Sequence, residues 1–270
     1  MKLINIGCGE VFHPDWVNLD VAPVSPEVRR LDARRPLPFG DGEVDAVYHS
    51  HVLEHLSAED GARFLAECFR VLRTGGVVRV AVPGLEGIAR AYLAALEVAE
   101  AGGDATLYDW CRMELTDQLT RTVSGGEMAP WLLKLTPEQQ AVVGQRAGRE
   151  MTGILAAAGK RRKKRIGGLL LAKAVRRAHV GFVRALVGMS GGARMVSAFD
   201  EGVFRQRGEV HRLMYDKYSL ARALRDAGFS GARPVTADES GITGFAGYGL
   251  DAVGGEVRKP DSLFMEAVKP

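Results

Sequence analysis

The chain has 270 residues, 46% of them hydrophobic, which is enough for one large domain, or a domain with an insertion, around a sizeable core. Three cysteines at wide, irregular spacing, Cys8, Cys68 and Cys111, exclude a disulfide framework and a four-thiolate zinc site. No stretch reaches the ~20 apolar residues that span a bilayer. Eleven of the 36 bases and none of the 33 acids fall in residues 151–199, so the net +3 is a local basic segment on a remainder carrying −8.

Leu3, Ile4 and Ile6 form a short apolar strand ending in Gly7-Cys8-Gly9. Two glycines one residue apart permit a sharp turn and let a ligand approach main-chain N–H groups; a tight turn without a ligand explains the same residues. A second strand, Val17 to Val21, ends in Asp20, whose carboxylate suits the two hydroxyls of a ribose. The dinucleotide fingerprint is not met, because Phe12 stands where its third Gly or Ala belongs and Asp20 comes too early. A cofactor with one nucleoside and no pyrophosphate is the reading that fits.

Val28 to Leu31 follows, then Asp32-Ala33 and the proline-bearing Arg34 to Phe39, which cannot be helical. Asp32 is placed at a strand's end on the rim of Gly9 and Asp20, either to take an adenine amine or as a solvated loop carboxylate. Val44 to Tyr48 is the next strand, entering Ser50 to Leu56. Ser57 opens a helix with an expected apolar face of Ala62, Leu65, Phe69 and Leu72, ended by Thr74-Gly75-Gly76. Val77 to Val82 is another buried strand. Strand and helix alternate, so the expected fold is α/β, a Rossmann-like, mostly parallel seven-stranded sheet with helices on both faces and a helical insertion.

Residues Leu3 to Pro83 resemble class I S-adenosylmethionine-dependent methyltransferases, in the branch with a shortened first helix. The resemblance rests on Asn5 to Gly9, Asp20, Asp32-Ala33 with Leu37-Pro38-Phe39, Asp45, Leu53-Glu54-His55-Leu56, and Arg70-Val71-Leu72 before Gly75-Gly76. It implies S-adenosylmethionine as cofactor, with the glycine loop against its methionine part, Asp20 on the ribose, and Asp32 and Ala33 at the adenine. The cofactor-binding set expected is Asn5, Gly7, Cys8, Gly9, Asp20, Val21, Asp32, Ala33, Ser50 and His51. Asn5 stands where an acidic residue is often found.

His51-Val-Leu-Glu54-His55 also fits H-x-x-E-H, a zinc hydrolase pattern, but the sequence offers no third ligand, and no metal is assigned. Beyond Pro83, amphipathic helices are expected from Leu85, from Tyr108 to Thr122 and from Thr136 to Ala158, with Ser124 to Glu127 as a loop. The Lys160–Arg165 run leads into a helix with Lys173, Arg176, Arg177 and Arg184 on one face and Leu171, Val175, Ala178, Phe182 and Leu186 on the other. Such a helix either packs on its own domain or, through residues 160–187, touches an anionic membrane surface. Nucleic-acid binding lacks interleaved aromatics.

A helix opened by Ser219 and strands at Phe229 to Val235 and Leu263 to Val268 close the chain. His211 with Tyr215-Asp216 and the ending Arg258 to Pro270 are similar to methyltransferases of bacterial polysaccharide and lipopolysaccharide gene clusters. The expected division is 1–100 for the cofactor half, 101–210 for a helical cap with its basic segment at 159–194, and 211–270 for the strands completing the sheet. The implied activity is O-methylation of a saccharide or glycolipid precursor, with a small natural-product hydroxyl or amine as the alternative acceptor. His211 is the first candidate base, followed by Asp117, Glu127 and His51. The chain starts directly in a strand, so the expected location is cytoplasmic, with contact to the inner membrane face and homo-oligomerisation left open.

Overall fold

The computed structural model describes residues 1–159 and 170–270; the Lys160–Arg165 run and the side chains of residues 149–177, including Leu171, Lys173, Val175, Arg176 and Arg177, lie outside what is described. In chain order the protein has strands β1 (Leu3–Ile6), β2 (Trp16–Asp20), β3 (Val28–Arg30) and β4 (Val44–Ser50). Helix α1 (Ala58–Val71) then leads directly into β5 (Leu72–Pro83). Helices α2 (Leu85–Glu100), α3 (Thr106–Thr120), α4 (Met128–Leu132), α5 (Pro137–Gly159) and α6 (Leu170–Arg205) form the inserted segment. The chain closes with α7 (Lys217–Asp226), β6 (Ser230–Val235), a small hairpin of β7 (Ala252–Val253) and β8 (Glu256–Val257), and β9 (Ser262–Val268).

Seven strands form one sheet in the order β3-β2-β1-β4-β5-β9-β6, parallel except where β9 runs antiparallel to both β5 and β6. The order reverses between β1 and β4, so the carboxyl ends of these two strands flank the crevice where open α/β sheets bind ligands. β1 is buried throughout: Ile4 and Ile6 lie in the core cluster with residues of α1 and α7, and Leu3 packs with Ile242, Phe245 and Leu250.

Two sequence expectations shift by small amounts. The buried stripe of α1 is Gly61, Phe64, Leu65, Cys68 and Val71, while Ala62 is exposed. Of the predicted stripe, Leu65 and Leu72 are buried in the main core and Phe69 packs against it; Ala62 alone faces out, and Phe64 and Cys68 widen the stripe by a second apolar row. Thr74-Gly75-Gly76 does not separate helix from strand: β5 begins at Leu72, paired with Val44, and residues 73–76 bulge out before pairing resumes at Ala46 and Val77.

Arg70 in the last turn of α1 ties down the proline-bearing loop. Its guanidinium donates to the Leu37 and Phe39 carbonyls and to Asp41, while Glu67 accepts from the Leu37 amide at 2.8 Å. The loop backbone is thus hydrogen-bonded although no strand pairs with it.

The insertion has its own apolar cluster of Trp110, Cys111, Met113, Met128, Leu132, Val143 and Ala147. Glu114 lies inside it, accepting from Trp110 Nε1 at 2.6 Å and Arg146 Nε at 2.7 Å, instead of on the solvated face its helix position suggests. Burial pushes its carboxyl up to about 7 against the pull of Arg146. Non-helical backbone at Gly148 and Gly192 breaks α5 and α6, and past Gly192 the α6 chain folds back so that Arg184 pairs with Asp200 at 2.9 Å.

The expectation that Phe182 and Leu186 pack on their own domain is not met. Phe182 is 64% exposed, Leu186 47% and Met189 85%, so this side of α6 faces away from the core. Among the described residues no helix is long and apolar enough to cross a membrane.

Candidate functional site

β1 delivers the chain into a loop that only glycine allows at its first position. Gly7 has φ +70°, and a Cβ there would meet Val52 Cγ2 at 2.2 Å. Gly9 has φ +54° with open space where its Cβ would lie. The loop is held by its neighbour strand: the Gly7 and Cys8 amides donate to the Leu19 carbonyl at 2.7 and 3.2 Å. Asp20 accepts from the Gly9 amide at 2.9 Å and from the Ala22 amide at 2.7 Å. The Asp20 carboxylate therefore shapes the loop, and each oxygen keeps capacity for one more donor. Burial first, and then the charge of Asp20, push the Cys8 thiol up to about 11, so it remains a neutral packing group.

Asn5 is 1% exposed, and its amide donates to the Val11 carbonyl and to Asn18 Oδ1, both at 3.2 Å. Asn5 Oδ1 is buried with no protein donor. An orphaned acceptor beside a glycine loop is a place for a ligand's N–H.

Two cavities meet at this loop. One, of about 370 Å³, is lined by Asn5, Gly7 to Val11, Tyr48, Ser50, His51 and residues of the 250–264 segment. The other, of about 320 Å³, is lined by Asp20, Val21, Asp32, Ala33, Val52, His55 and Leu56, with Gln206, Arg207 and Arg212 opposite. Gly7 and His51 border both. The ten sequence-predicted cofactor residues thus line these two adjoining cavities. Asp32 departs in detail: β3 ends at Arg30, and Asp32 sits in the following turn, gripped by Arg34 through Nε at 2.9 Å and a terminal nitrogen at 2.7 Å. That pairing holds its carboxyl below the usual carboxylate range.

His51 holds an unusual backbone. At φ +55° it is the one non-glycine residue with positive φ among the described residues, a conformation costing about 1–3 kcal/mol that concentrates at functional sites. Its Nε2 lies 2.9 Å from Ser262 Oγ and its Nδ1 3.2 Å from Glu54 Oε1. Glu54 is fully buried, and neither of its oxygens has a well-aligned hydrogen bond. Burial alone would raise the Glu54 carboxyl, but His51, with His55 and His211 behind it, outweighs this and holds it down at about 2.

The other base candidates are placed differently. His211 is 6% exposed, outside the lining of both cavities, and burial pushes its imidazole down to about 4. Asp117 accepts from the Glu127 amide at 2.7 Å and Arg121 at 2.6 Å, so its carboxylate shapes the 121–127 loop. Glu127 is exposed at the start of α4. Neither borders a cavity, which leaves His51 as the candidate beside the crevice.

The hydrolase reading of H-x-x-E-H fails on geometry. It needs two histidines one turn apart on a helix, and here His51 precedes a single 3₁₀ turn, Leu53–His55, with left-handed backbone.

Sequence patterning also gave no signal for Tyr48, Asp251, Arg258 and Lys259, which complete the wall of the first cavity. Asp251 reaches it through a buried network. Its carboxylate accepts from Arg79 Nε at 2.7 Å and from the Tyr48 hydroxyl, while Arg79 also donates to Glu266 at 2.9 Å.

Residues 15–80, spanning β2 to β5, match the methyltransferase domain family. That stretch, about a quarter of the chain, is similar to methyltransferase domains. Its curated relatives include a protein of Mycolicibacterium smegmatis named as a probable S-adenosylmethionine-dependent methyltransferase, 39% identical over 98 residues, which are 30% of this chain and 37% of that protein. A protein of Mycobacterium tuberculosis with the same description is 34% identical over 98 residues, 30% of this chain and 35% of its own. The chain thus matches just over a third of the length of these relatives. Among solved structures, a methyltransferase of Thermotoga maritima titled a possible histamine N-methyltransferase aligns over 100% of this chain and 82% of its own, with 12% identity and a TM-score of 0.41. A structure titled PigF with SAH aligns over 99% of this chain and 50% of its own, with 10% identity and a TM-score of 0.38.

The residues present fit the cofactor named for these relatives. The orphaned Asn5 Oδ1 is an acceptor for an ammonium, the open loop at Gly9 leaves main-chain approach free, and Asp20 keeps acceptor capacity at the end of β2.

Proposed function

We propose that the protein is an S-adenosylmethionine-dependent methyltransferase whose acceptor is a hydroxyl of a saccharide or glycolipid precursor. The observation that carries this reading is the pair of adjoining cavities that share Gly7 and His51, with a polar anchor in each: Asn5 Oδ1 in one and the Asp20 carboxylate in the other. Asn5 and the loop from Gly7 to Gly9 would hold the amino-acid part of the cofactor. Asp20 and Val21 would hold the ribose, and Asp32 with Ala33 the adenine. When bound, the cofactor supplies an electrophilic methyl group.

The chain's own residues then need to orient an acceptor and take its proton. His51 borders both cavities, and its ring is held between Ser262 and Glu54. Orientation by a carboxylate on one nitrogen leaves the other facing Ser262 and the first cavity, the arrangement of a base steered by its neighbour. Tyr48, Asp251, Arg258 and Lys259 give that cavity a wall of hydroxyl, carboxylate and cationic groups, which suits a polyhydroxylated acceptor better than an apolar one.

The test is transfer of labelled methyl from S-adenosylmethionine to sugar and glycolipid acceptors by wild-type protein and His51→Ala. The expected result is turnover on a hydroxylated acceptor, with kcat in the variant down about 100-fold or more and cofactor affinity unchanged. Equal turnover in both proteins removes His51 from the proton transfer. Labelling of amines alone removes the hydroxyl acceptor.

A further inference from the structure

We propose that Glu54, His55 and His211 form a binding site for one divalent transition-metal ion of the zinc class, beside the wall that the two cavities share. Among the described residues these three bring one ligand atom each to within 4.8 Å of one another, from two segments far apart in the chain, Glu54-His55 and His211. The sequence pattern around residue 51 offered no third ligand; the fold supplies it as His211, and it substitutes Glu54 for His51 in the ligand set.

Four observations support a built site. Glu54 is 0% exposed; His51 Nδ1 lies 3.2 Å from its Oε1, but neither oxygen has a well-aligned hydrogen bond, which is a costly state for a buried carboxylate unless a further cation stands beside it. Among the described residues no arginine or lysine forms an ion pair with it; Arg121 is engaged by Asp117 and Glu209. His55 has its Nδ1 3.4 Å from the Val210 carbonyl, the outer-shell partner that fixes the tautomer and leaves Nε2 as the ligand atom. The two segments carrying the ligands are joined by backbone: the Arg212 and Leu213 amides both donate to the Glu54 carbonyl, at 2.7 and 3.2 Å, and the His211 amide donates to the Gln118 carbonyl at 2.9 Å.

Two imidazoles and one carboxylate are a zinc-type donor set with room for an outside ligand. A tetrahedral ion with bonds of about 2.0–2.1 Å needs its donors roughly 3.3 Å apart, so the side chains close by about 1.5 Å at most on binding. The rings of His55 and His211 are 4.7 Å apart, edge to face, and a rotation of either narrows the gap. His55 lines the second cavity and His51 lines both, so the ion's outside position lies toward the crevice. On the methyltransferase reading, on which only this role depends, a cation there polarises an acceptor hydroxyl and lowers the demand on His51.

The test starts from full-length protein stripped with chelator and titrates zinc, then cobalt, by calorimetry and by the visible absorption of the cobalt complex. The expected result is one ion per chain, a rise in thermal midpoint on zinc addition, and affinity weakened about 100-fold or more in His55→Ala and His211→Ala. Glu54→Gln, nearly the same shape and relieved of its buried charge, keeps the fold and is expected to lose the ion as well. Absence of stoichiometric binding by the wild type overturns the site and leaves a shared proton as the neutraliser of Glu54. Binding that persists in both histidine variants overturns it too. S-adenosylmethionine binding is measured separately on the stripped protein, so failure of the methyltransferase reading is seen independently.

Discussion

Removing the Arg79 guanidinium is the perturbation whose cost follows most directly from the structure. Arg79 is 0% exposed on the central strand β5, and all five of its N–H groups are used. Nε donates to Asp251, one terminal nitrogen to Glu266 and the Glu239 carbonyl, and the other to the Thr236 and Ala237 carbonyls. Its plane lies 4.3 Å over the ring of Phe245. Arg79→Met keeps the volume and leaves two buried carboxylates without their cation and three carbonyls without donors. Tyr48 still donates to Asp251, and Ser240 and Gly241 to Glu266, so the loss is partial.

Breaking a buried ion pair from one side costs about 3–5 kcal/mol, which for a chain of this size lowers the thermal midpoint by roughly 10 °C. Burial already raises the Asp251 carboxyl, and Arg79 is the main group opposing it. Without Arg79 the folded protein favours protonated Asp251 more strongly. A raised folded pKa gives stability that is present at low pH and lost as pH rises, so the deficit should be largest at neutral pH and shrink toward pH 5. Urea unfolding of wild type and variant across that range measures it. Adding Asp251→Asn and Glu266→Gln to Arg79→Met should recover much of the loss. A deficit below about 1 kcal/mol at neutral pH, or one independent of pH, would refute the reasoning.

Gly7→Ala places a methyl group within 2.2 Å of Val52 Cγ2 at a φ of +70°, so it should displace the loop and weaken cofactor binding at least tenfold, measurable by titration. His49 is fully buried with neither ring nitrogen partnered, and burial pushes its imidazole down from 6.5 to about 4. The unfolded chain takes up that proton near pH 6.5, so the folded state loses about 3 kcal/mol from this group as pH falls from 6.5 to 4. His49→Leu should therefore be more stable than wild type, with a margin that widens over the same interval, as read by thermal unfolding against pH. Phe182→Ser and Met189→Ser, at exposed positions of α6, should change stability by less than about 0.5 kcal/mol.

The parallel half of the sheet was legible because strands buried on both faces are short apolar runs that end in turn residues. Leu3 to Ile6 before Gly7 and Val77 to Val82 before Pro83 are such runs, and Asp20, Asp32 and Ser50 follow from their ends. The stripe of α1 was legible at Leu65, Phe69 and Leu72, and missed the second apolar row of Phe64 and Cys68. The Arg79 network was invisible because a charged residue inside a strand reads as an exposed position, and its partners, Asp251 and Glu266, are 172 and 187 residues away. His211 was noticed for its chemistry and misplaced for the same reason: whether a histidine lines a cavity or sits behind it is decided by tertiary contacts. The left-handed backbone of His51 has no sequence signal at all, since φ > 0 there is imposed by the surrounding fold.

The central claim, a cofactor site built on Gly7, Gly9 and Asp20, is tested most directly by calorimetric titration with S-adenosylmethionine and S-adenosylhomocysteine. Wild type should bind one molecule of either per chain, and Asp20→Ala, which removes the proposed ribose acceptor and the loop's own anchor, should bind at least 100-fold more weakly while remaining folded. Folded wild-type protein that binds neither compound, or an Asp20→Ala variant that binds as well as wild type, would contradict the account.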